Sequence, residues 1–320
     1  MIHHMIALII AVILDKLIGD PPHWPHPVRW MGTFISHLER RWNRGKRRKL
    51  RGTAMVVAVL LAVGGASLLF VSGAYFIHPA AGIAAEAVLI STALAQKSLK
   101  QAAMAVYEPL KQENIQEARR KLSFIVGRDT EQLAEPEIVR GAVETVAENT
   151  SDGVTAPMFW ALIGGAPLAL IYRAINTCDS MVGYRNEAYM EFGWASARLD
   201  DLANWVPSRI TSFVMLMVNR PEQFSRKEGW KILWRDAKKH PSPNSGWGEA
   251  AVAAILGVQL GGINYYKGII SDRARMGAPV VMLEKQHIVK TNIIMERTVL
   301  FFLLLLCMGG ILFEMARAWS

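Results

Sequence analysis

Thr53 to Ile77 is an unbroken apolar run introduced by a basic cluster, and no other feature constrains the chain as much. A helix needs roughly 20 apolar residues to cross the hydrocarbon core of a bilayer, so this run spells a transmembrane helix. Eight of the 36 Lys and Arg residues lie between Arg40 and Arg51, directly before it. By the positive-inside rule that cluster stands at the cytoplasmic face. His78 and Pro79 mark a tight turn, after which Ala80 to Ala95 can return as a second helix and leave Gln96 on the cytoplasmic side. Residues 5 to 18 read as a retained anchor, since no basic region precedes them and no small-residue cleavage pattern follows. Val299 to Phe313 supplies a last hydrophobic helix, with Arg317 as an interfacial anchor. An apolar fraction of 52% and a mean hydropathy of +0.19 agree with membrane integration. The expected fold is therefore an all-α, polytopic integral membrane protein. Residues 1–320 form a single membrane-embedded catalytic domain in this reading, with 96–150 a cytoplasmic helical insert.

Val154 to Ile171 raises a topological difficulty. A single crossing there would put the polar runs on either side of it in opposite compartments. Its centre reads Gly164-Gly165-Ala166-Pro167, a breaker sequence suited to a re-entrant helical hairpin. Such a hairpin returns both runs to one side, so Asp152 and Asp179 are expected to face the cytoplasm. Ile210 to Val218 and Ala250 to Gly262 are too short for simple spans and read as half-helices, while 219–241 and 264–297 read as connectors. Within the insert, Gly127 is a helix stop and Pro136 the first residue of the next helix. Glu137, Gly141, Glu144 and Glu148 share one face of that helix.

The net charge of +9 admits nucleic acid, anionic lipid or anionic substrates. The topogenic position of the basic cluster and the lack of base-reading motifs argue against nucleic acid. Cys178 and Cys307 are far apart and form no CxxC pair, which supports neither a disulfide framework nor a thiolate zinc site. A Walker-type phosphate loop, a G-x-G-x-x-G fingerprint, an H-E-x-x-H pair and a G-x-S-x-G elbow are all missing from the sequence.

Three polar runs between apolar flanks carry the candidate chemistry. Glu148 to Gly153 ends a helix in a turn rich in oxygen ligands, or simply in an Asx turn. Its Glu144 and Glu148 lie one turn apart, a like-charge pair that needs an offsetting cation. Tyr172 to Thr211 contains Asp200, Asp201 and Asn204 at helical spacing, with Arg173, Arg185, Arg198 and Arg209 around them. Magnesium commonly takes one or two carboxylates plus phosphate oxygens and water, and arginines grip phosphate; the plain alternative is an acidic helix entry whose arginines pair internally. His240 to Glu249 opens a helix whose free N–H groups suit an anion, or whose Ser245 is an N-cap. Near the amino end, Asp15, Asp20, His26, Pro27 and Arg29 form a further polar group or a proline-rich interfacial elbow.

Four stretches together resemble one family: LDKLIGDPPHWPHPVRWMG at Leu14 to Gly32, ENTSDGVTAPMFW at Glu148 to Trp160, the Tyr172 to Thr211 run, and HPSPNSGWGEAAVAAILGVQLGG at His240 to Gly262. They are similar, in order and over nearly the whole chain, to the membrane-bound adenosylcobinamide-phosphate synthases of cobalamin biosynthesis, the CobD/CbiB family. The resemblance implies ATP- and magnesium-dependent amide ligation of (R)-1-amino-2-propanol O-phosphate, or aminopropanol, to adenosylcobyric acid. It implies a multi-pass protein of the cell membrane with a cytoplasm-facing site and leaves homo-oligomerisation open. On that premise magnesium is assigned to Glu148, Asp152, Asp200 and Asp201, and phosphate or substrate contacts to Arg29, Arg173, Arg185, Arg209 and Ser245. Asn149, Asn176, Asn186, Asn204 and Asn244 would orient the reactants, and His240 or Asp179 would act as base. Trp24, Trp194, Trp205 and Trp247 either border the flat corrinoid or anchor the chain at the membrane interface. Two rivals stand beside it. A magnesium-dependent membrane phosphotransferase or prenyltransferase would carry paired D-x-x-D motifs, which this chain lacks, and a nonenzymatic membrane sensor would have no need of all four polar motifs.

Overall fold

The computed structural model describes residues 1–21, 23–184 and 186–319. Helices dominate it. Among the described residues, four stretches are long and apolar enough to cross a membrane: Arg48–Ile77, Pro79–Lys111, Glu135–Val182 and Gln286–Trp319. The protein is thus a multi-pass, all-α membrane protein, with one small antiparallel hairpin as its only sheet among the described residues. Its contacts divide it into two compact units, Met1–Lys97 with Asp152–Asn204 and Leu303–Ser320, and Ser98–Ser151 with Trp205–Phe302.

In the first unit, α1 (Ile2–Leu17) packs on α4 (Pro79–Ser91), and α2 (Pro27–Trp42) on α3 (Arg48–Ile77). The long helix α8 (Ala156–Val182) packs against α1, α2, α3, α4 and α9 (Trp194–Ala203). Apolar side chains such as Leu61, Leu69 and Phe76 stay exposed on α3, as suits a helix whose surroundings are lipid.

Helix α8 is not a straight rod. A continuous helix would separate residues 152 and 172 by about 30 Å at 1.5 Å per residue, yet the Tyr172 hydroxyl lies 3.1 Å from the Asp152 carbonyl oxygen. The chain doubles back at Gly164 (φ −145°, ψ 30°) and Gly165 (φ 63°, ψ −156°), forming the expected helical hairpin. Gly165 is required twice over: its φ is left-handed, and a Cβ there would come within 2.6 Å of Glu86 Oε1 and 2.8 Å of His4 Nδ1. Pro167 follows at the start of the returning arm, where its missing N–H costs nothing.

In the second unit, α5 (Gln96–Lys111), which takes its first residues from the first unit, and α6 (Ile115–Leu122) precede α7 (Glu135–Thr150). As the sequence predicts, Pro136 sits in the first turn of α7. The nearly fully buried α12 (Ser245–Leu256) is the centre of this unit, contacting α7, α10 (Trp205–Val218) and α11 (Arg226–Asp236). Where the sequence suggests a half-helix running to Gly262 and then a connector, the chain instead turns at Gly257 (φ 73°) into β1 (Gln259–Tyr266) and β2 (Ile269–Gly277). A bulge between Leu260 and Gly262 bends the hairpin against α7. The last helix, α13 (Gln286–Trp319), runs through both units.

Candidate active site

The predicted polar residues fall into two groups, one in each unit. In the first unit a short π-helical segment, Ser151–Thr155, carries Asp152 at the head of the hairpin's first arm; such widened turns recur at functional sites. The returning arm brings Tyr172 back to the same level. Its hydroxyl points its one proton at Asn204 Oδ1, 2.7 Å away, with the Asp152 carbonyl as second acceptor. Ala156, Tyr172, Ile175 and Ala203 form the apolar floor, with Trp160 fixed by a 3.2 Å bond from its indole N–H to the Ala203 carbonyl.

Asp200 is the chemically distinctive group here. It is buried, and it accepts a 3.3 Å hydrogen bond from the Asn176 amide. Burial, and next the charge of Asp179, raise its carboxyl to about 7, against the lowering influence of the Asn176 and Asn204 amides. Asp201 has a different setting. Consecutive helical residues do not face the same way, and Asp201 stands partly exposed, 3.9 Å from Arg198. The fold therefore couples Asp200 more strongly to Asp179 than to its sequence neighbour. Arg173 is half-buried with an Nε that meets no acceptor among the described residues. Cys178 is a buried filler in α8.

Two other predictions in this unit are held locally, one in a turn and one in the first turn of α2. Asn186 accepts the Tyr189 N–H at 3.0 Å in an Asx turn. Arg29 is exposed and reaches the Trp24 and Pro21 carbonyls, each at 3.4 Å. Arg185 lies outside the described residues.

In the second unit the shared face of α7 is the organising feature. Arg128 donates 2.8 Å to Glu144 Oε2 and also bonds Asn264 Oδ1. A Cβ at residue 141 would stand 2.7 Å from the Arg128 guanidinium, so only glycine lets that side chain lie along α7. Arg140 donates to the Gly261 and Ile263 carbonyls, while the Gly261 N–H binds Glu144 Oε1 at 2.8 Å. These bonds clamp β1 to α7 and supply Glu144 with two cations. Glu148 accepts a 2.7 Å bond from the Ser245 hydroxyl. Ser245 is consequently not an N-cap; that position belongs to Asn244.

Between these elements lies a cavity of about 160 Å³, lined among others by Arg128, Glu144, Glu148, Asn149, Glu249 and Arg273. Glu249 is 3% exposed, and no hydrogen bond reaches its carboxyl among the described residues. Burial, followed by the charges of Glu144 and Glu148, holds that carboxyl well above the usual range. His240 Nε2 stands 3.7 Å from Glu249 Oε1. The Ser242 N–H donates to His240 Nδ1 at 3.0 Å, which makes Nε2 the protonated nitrogen of the neutral ring. Burial keeps the imidazole below its ordinary pKa, so neutrality is its resting state. The ring's one lone pair is thereby engaged, and His240 faces Glu249 as a donor.

Arg209 is occupied by its own surroundings. It donates 2.6 Å to the Trp205 carbonyl and 3.3 Å to Asn244 Oδ1, and lies over Trp205 and Trp247 at 4.3 Å and 5.0 Å from the ring centres. Trp247 is 3% exposed and packs edge-on against Trp234, so it is a core residue rather than the border of a large flat ligand. Asn149 bonds the Thr145 carbonyl within α7. Arg128, Arg140, Glu249 and Arg273 were missed by sequence reasoning, though the Glu144 spacing to Arg140 carried a trace of one of them. Among the described residues, no three His, Cys, Asp or Glu side chains converge into a metal-binding group.

Comparison with known proteins gives one consistent answer. The sequence model of the family described as CobD/Cbib protein matches residues 8–295. The chain is 56% identical, over 97% of its length and 98% of the relative's, to the cobalamin biosynthesis protein CobD of Halalkalibacterium halodurans. It is 50% identical to CobD of Geobacter metallireducens, over 87% of this chain and 88% of that protein. It is 47% identical to the cobalamin biosynthesis protein CbiB of Salmonella typhimurium, over 85% and 87%. No solved structure matches the chain.

Proposed function

The chain belongs to the CobD/CbiB family of cobalamin biosynthesis proteins, and from that premise we propose that it is an ATP- and magnesium-dependent amide ligase. In this reading it joins (R)-1-amino-2-propanol O-phosphate, or aminopropanol, to a carboxylate of adenosylcobyric acid, giving adenosylcobinamide phosphate from the phosphorylated amine. The cavity in the second unit carries the proposal, because arginines and glutamates, Glu249 of them buried, share one small polar space there.

A carboxylate is a poor acyl donor. Transfer of a phosphoryl group from ATP gives an acyl phosphate, whose carbonyl the amine can attack with release of phosphate. The chain must then supply cations for phosphoryl oxygens, a site for magnesium and an acceptor for the ammonium proton. Asp200 suits magnesium by its chemistry: it is buried beside the charge of Asp179, a setting that a hard divalent cation would stabilise. We assign magnesium to Asp200, with Asp152 from the same unit. When bound, the ion neutralises phosphoryl charge. Glu148, whose carboxylate is held by Ser245, belongs with the polar groups of the second unit. Arg173 would meet phosphoryl oxygens, and Asn176 and Asn204 would fix the acidic cluster. With the His240 lone pair engaged, the proton acceptor is a carboxylate, Asp179 or Glu249, and His240 orients Glu249. We place the active site on the cytoplasmic face of the cell membrane, in agreement with the basic cluster before α3.

Turnover by the purified full chain in detergent tests the reading. Adenosylcobyric acid, the amine, ATP and magnesium should together give an amide, and omission of any one should abolish it. No amide from the complete mixture would overturn the proposal.

A further inference from the structure

The cavity of the second unit has a charge pattern that its own residues do not close. Arg273 donates 2.6 Å to the Tyr266 hydroxyl, and no carboxylate among the described residues lies within ion-pair distance of it. Because the Tyr266 oxygen accepts that bond, its own O–H proton is directed elsewhere. Guanidinium and phenol together make a donor couple for an oxyanion. The Glu249 carboxyl lines the same space and is paired with no cation among the described residues; its one close neighbour is the neutral His240 ring at 3.7 Å. Arg128 and Glu144, by contrast, satisfy each other at 2.8 Å. One cation and one buried acid thus face a common cavity without forming an ion pair with each other.

Size narrows the ligand. About 160 Å³ is well below the roughly 300–1,000 Å³ of sites for drug-sized ligands. It has no room for a nucleotide or a corrinoid. A buried acid without a partner is costly, and a cation brought by a ligand removes that cost.

We propose that this cavity binds a small zwitterion, a short carbon chain bearing a phosphate that meets Arg273 and Tyr266 and a primary ammonium that meets Glu249. The identification with an amino-alcohol phosphate substrate rests on the ligase reading above; the binding of the zwitterion does not. The site would explain selection of a phosphorylated amine over a free one, since each end of the molecule answers one uncompensated group.

Binding to the full chain in detergent, without ATP or corrinoid, tests this. The probes are 1-amino-2-propanol O-phosphate, 1-amino-2-propanol and isopropyl phosphate. The double-ended compound should bind at least about tenfold more tightly than either single-ended one, the amount one charge-assisted hydrogen bond supplies. Arg273→Gln should cost it about tenfold and leave 1-amino-2-propanol unchanged; Glu249→Gln should cost it about tenfold and leave isopropyl phosphate unchanged. Should Arg273→Gln not fold, Tyr266→Phe and Arg273→Lys read the same end. Wild-type affinity for the zwitterion in both the Arg273 and Glu249 variants, or isopropyl phosphate binding as tightly as the zwitterion, would overturn the proposal. Amide turnover together with unchanged binding in the variants would discard this site and keep the ligase reading. Zwitterion binding lost as expected, in a chain that makes no amide, would keep the site and discard that reading.

Discussion

The two units handle buried charge in opposite ways. The first concentrates acid: Asp200 sits buried among Asp179, Asp201 and two asparagine amides. The second interleaves signs, with Arg128 and Arg140 holding Glu144 and the β-hairpin in place. Glu249 and Arg273 face the cavity there without an ion-pair partner among the described residues. An excess of one sign suits a cation such as magnesium, and a mixed pair suits a zwitterion. Reading both as one undifferentiated polar patch, as the sequence invites, hides that division of labour.

The largest expected effect tests the acidic half. Asp200→Asn should lower amide turnover by about 100-fold or more, which corresponds to about 2.7 kcal/mol, and should raise the magnesium concentration needed for half activity. Asp201→Asn, at a half-exposed position, should stay within about threefold of the wild type. Equal losses at the two positions would erase the distinction drawn between them.

Next comes the hairpin that builds the acidic cluster. Gly165→Ala forces a side chain into φ 63° and against Glu86 and His4, and should destabilise the fold by about 1–3 kcal/mol. Gly65→Ala, in α3 with nothing within 4 Å, is the control and should cost nothing. Thermal unfolding of both variants in detergent reads the difference, and matching midpoints would break the hairpin account.

A smaller effect belongs to the second unit. Burial alone would raise the Asp236 carboxyl, but hydrogen bonds from Arg235, Lys239 and the Gly277 N–H outweigh it and hold the group below its ordinary 3.8. A folded pKa below the unfolded one means that the unfolded chain binds more protons as pH falls. The stabilisation is therefore complete above about pH 5 and is lost as pH drops through the depressed folded value. Asp236→Asn should cost about 1–2 kcal/mol at pH 7, and the gap to the wild type should narrow as pH falls through that depressed value. A gap that stays constant on acidification would contradict this.

The helices and the hairpin in α8 were legible because their signals are local: an apolar run, a basic flank and Gly164-Gly165-Ala166-Pro167. The β-hairpin was not. Its two-residue turn, Lys267-Gly268, has φ of 51° and 76°, the two left-handed residues of a primed turn. Asn-Gly is the recognisable sequence for it, and lysine in the first position conceals it. The charged Ser271 to Arg275 stretch of β2 further disguises a strand as a connector. The acidic cluster was half legible, since Asp200, Asn204 and Asn176 lie within one run. Arg128 and Arg273 had no local signal at all; they reach Glu144 and the cavity only through folding, across many residues of chain. Glu249 was seen as the end of a loop, but its burial depends on the packing of α12, which periodicity does not report when every face is apolar.

The central claim, that a carboxylate is activated by phosphoryl transfer and then captured by an amine, has a direct test. Adenosylcobyric acid labelled with oxygen-18 in its reacting carboxylate should transfer one labelled oxygen to inorganic phosphate for each amide formed. Amide formation with no label in phosphate, or with the label in AMP, would contradict the account.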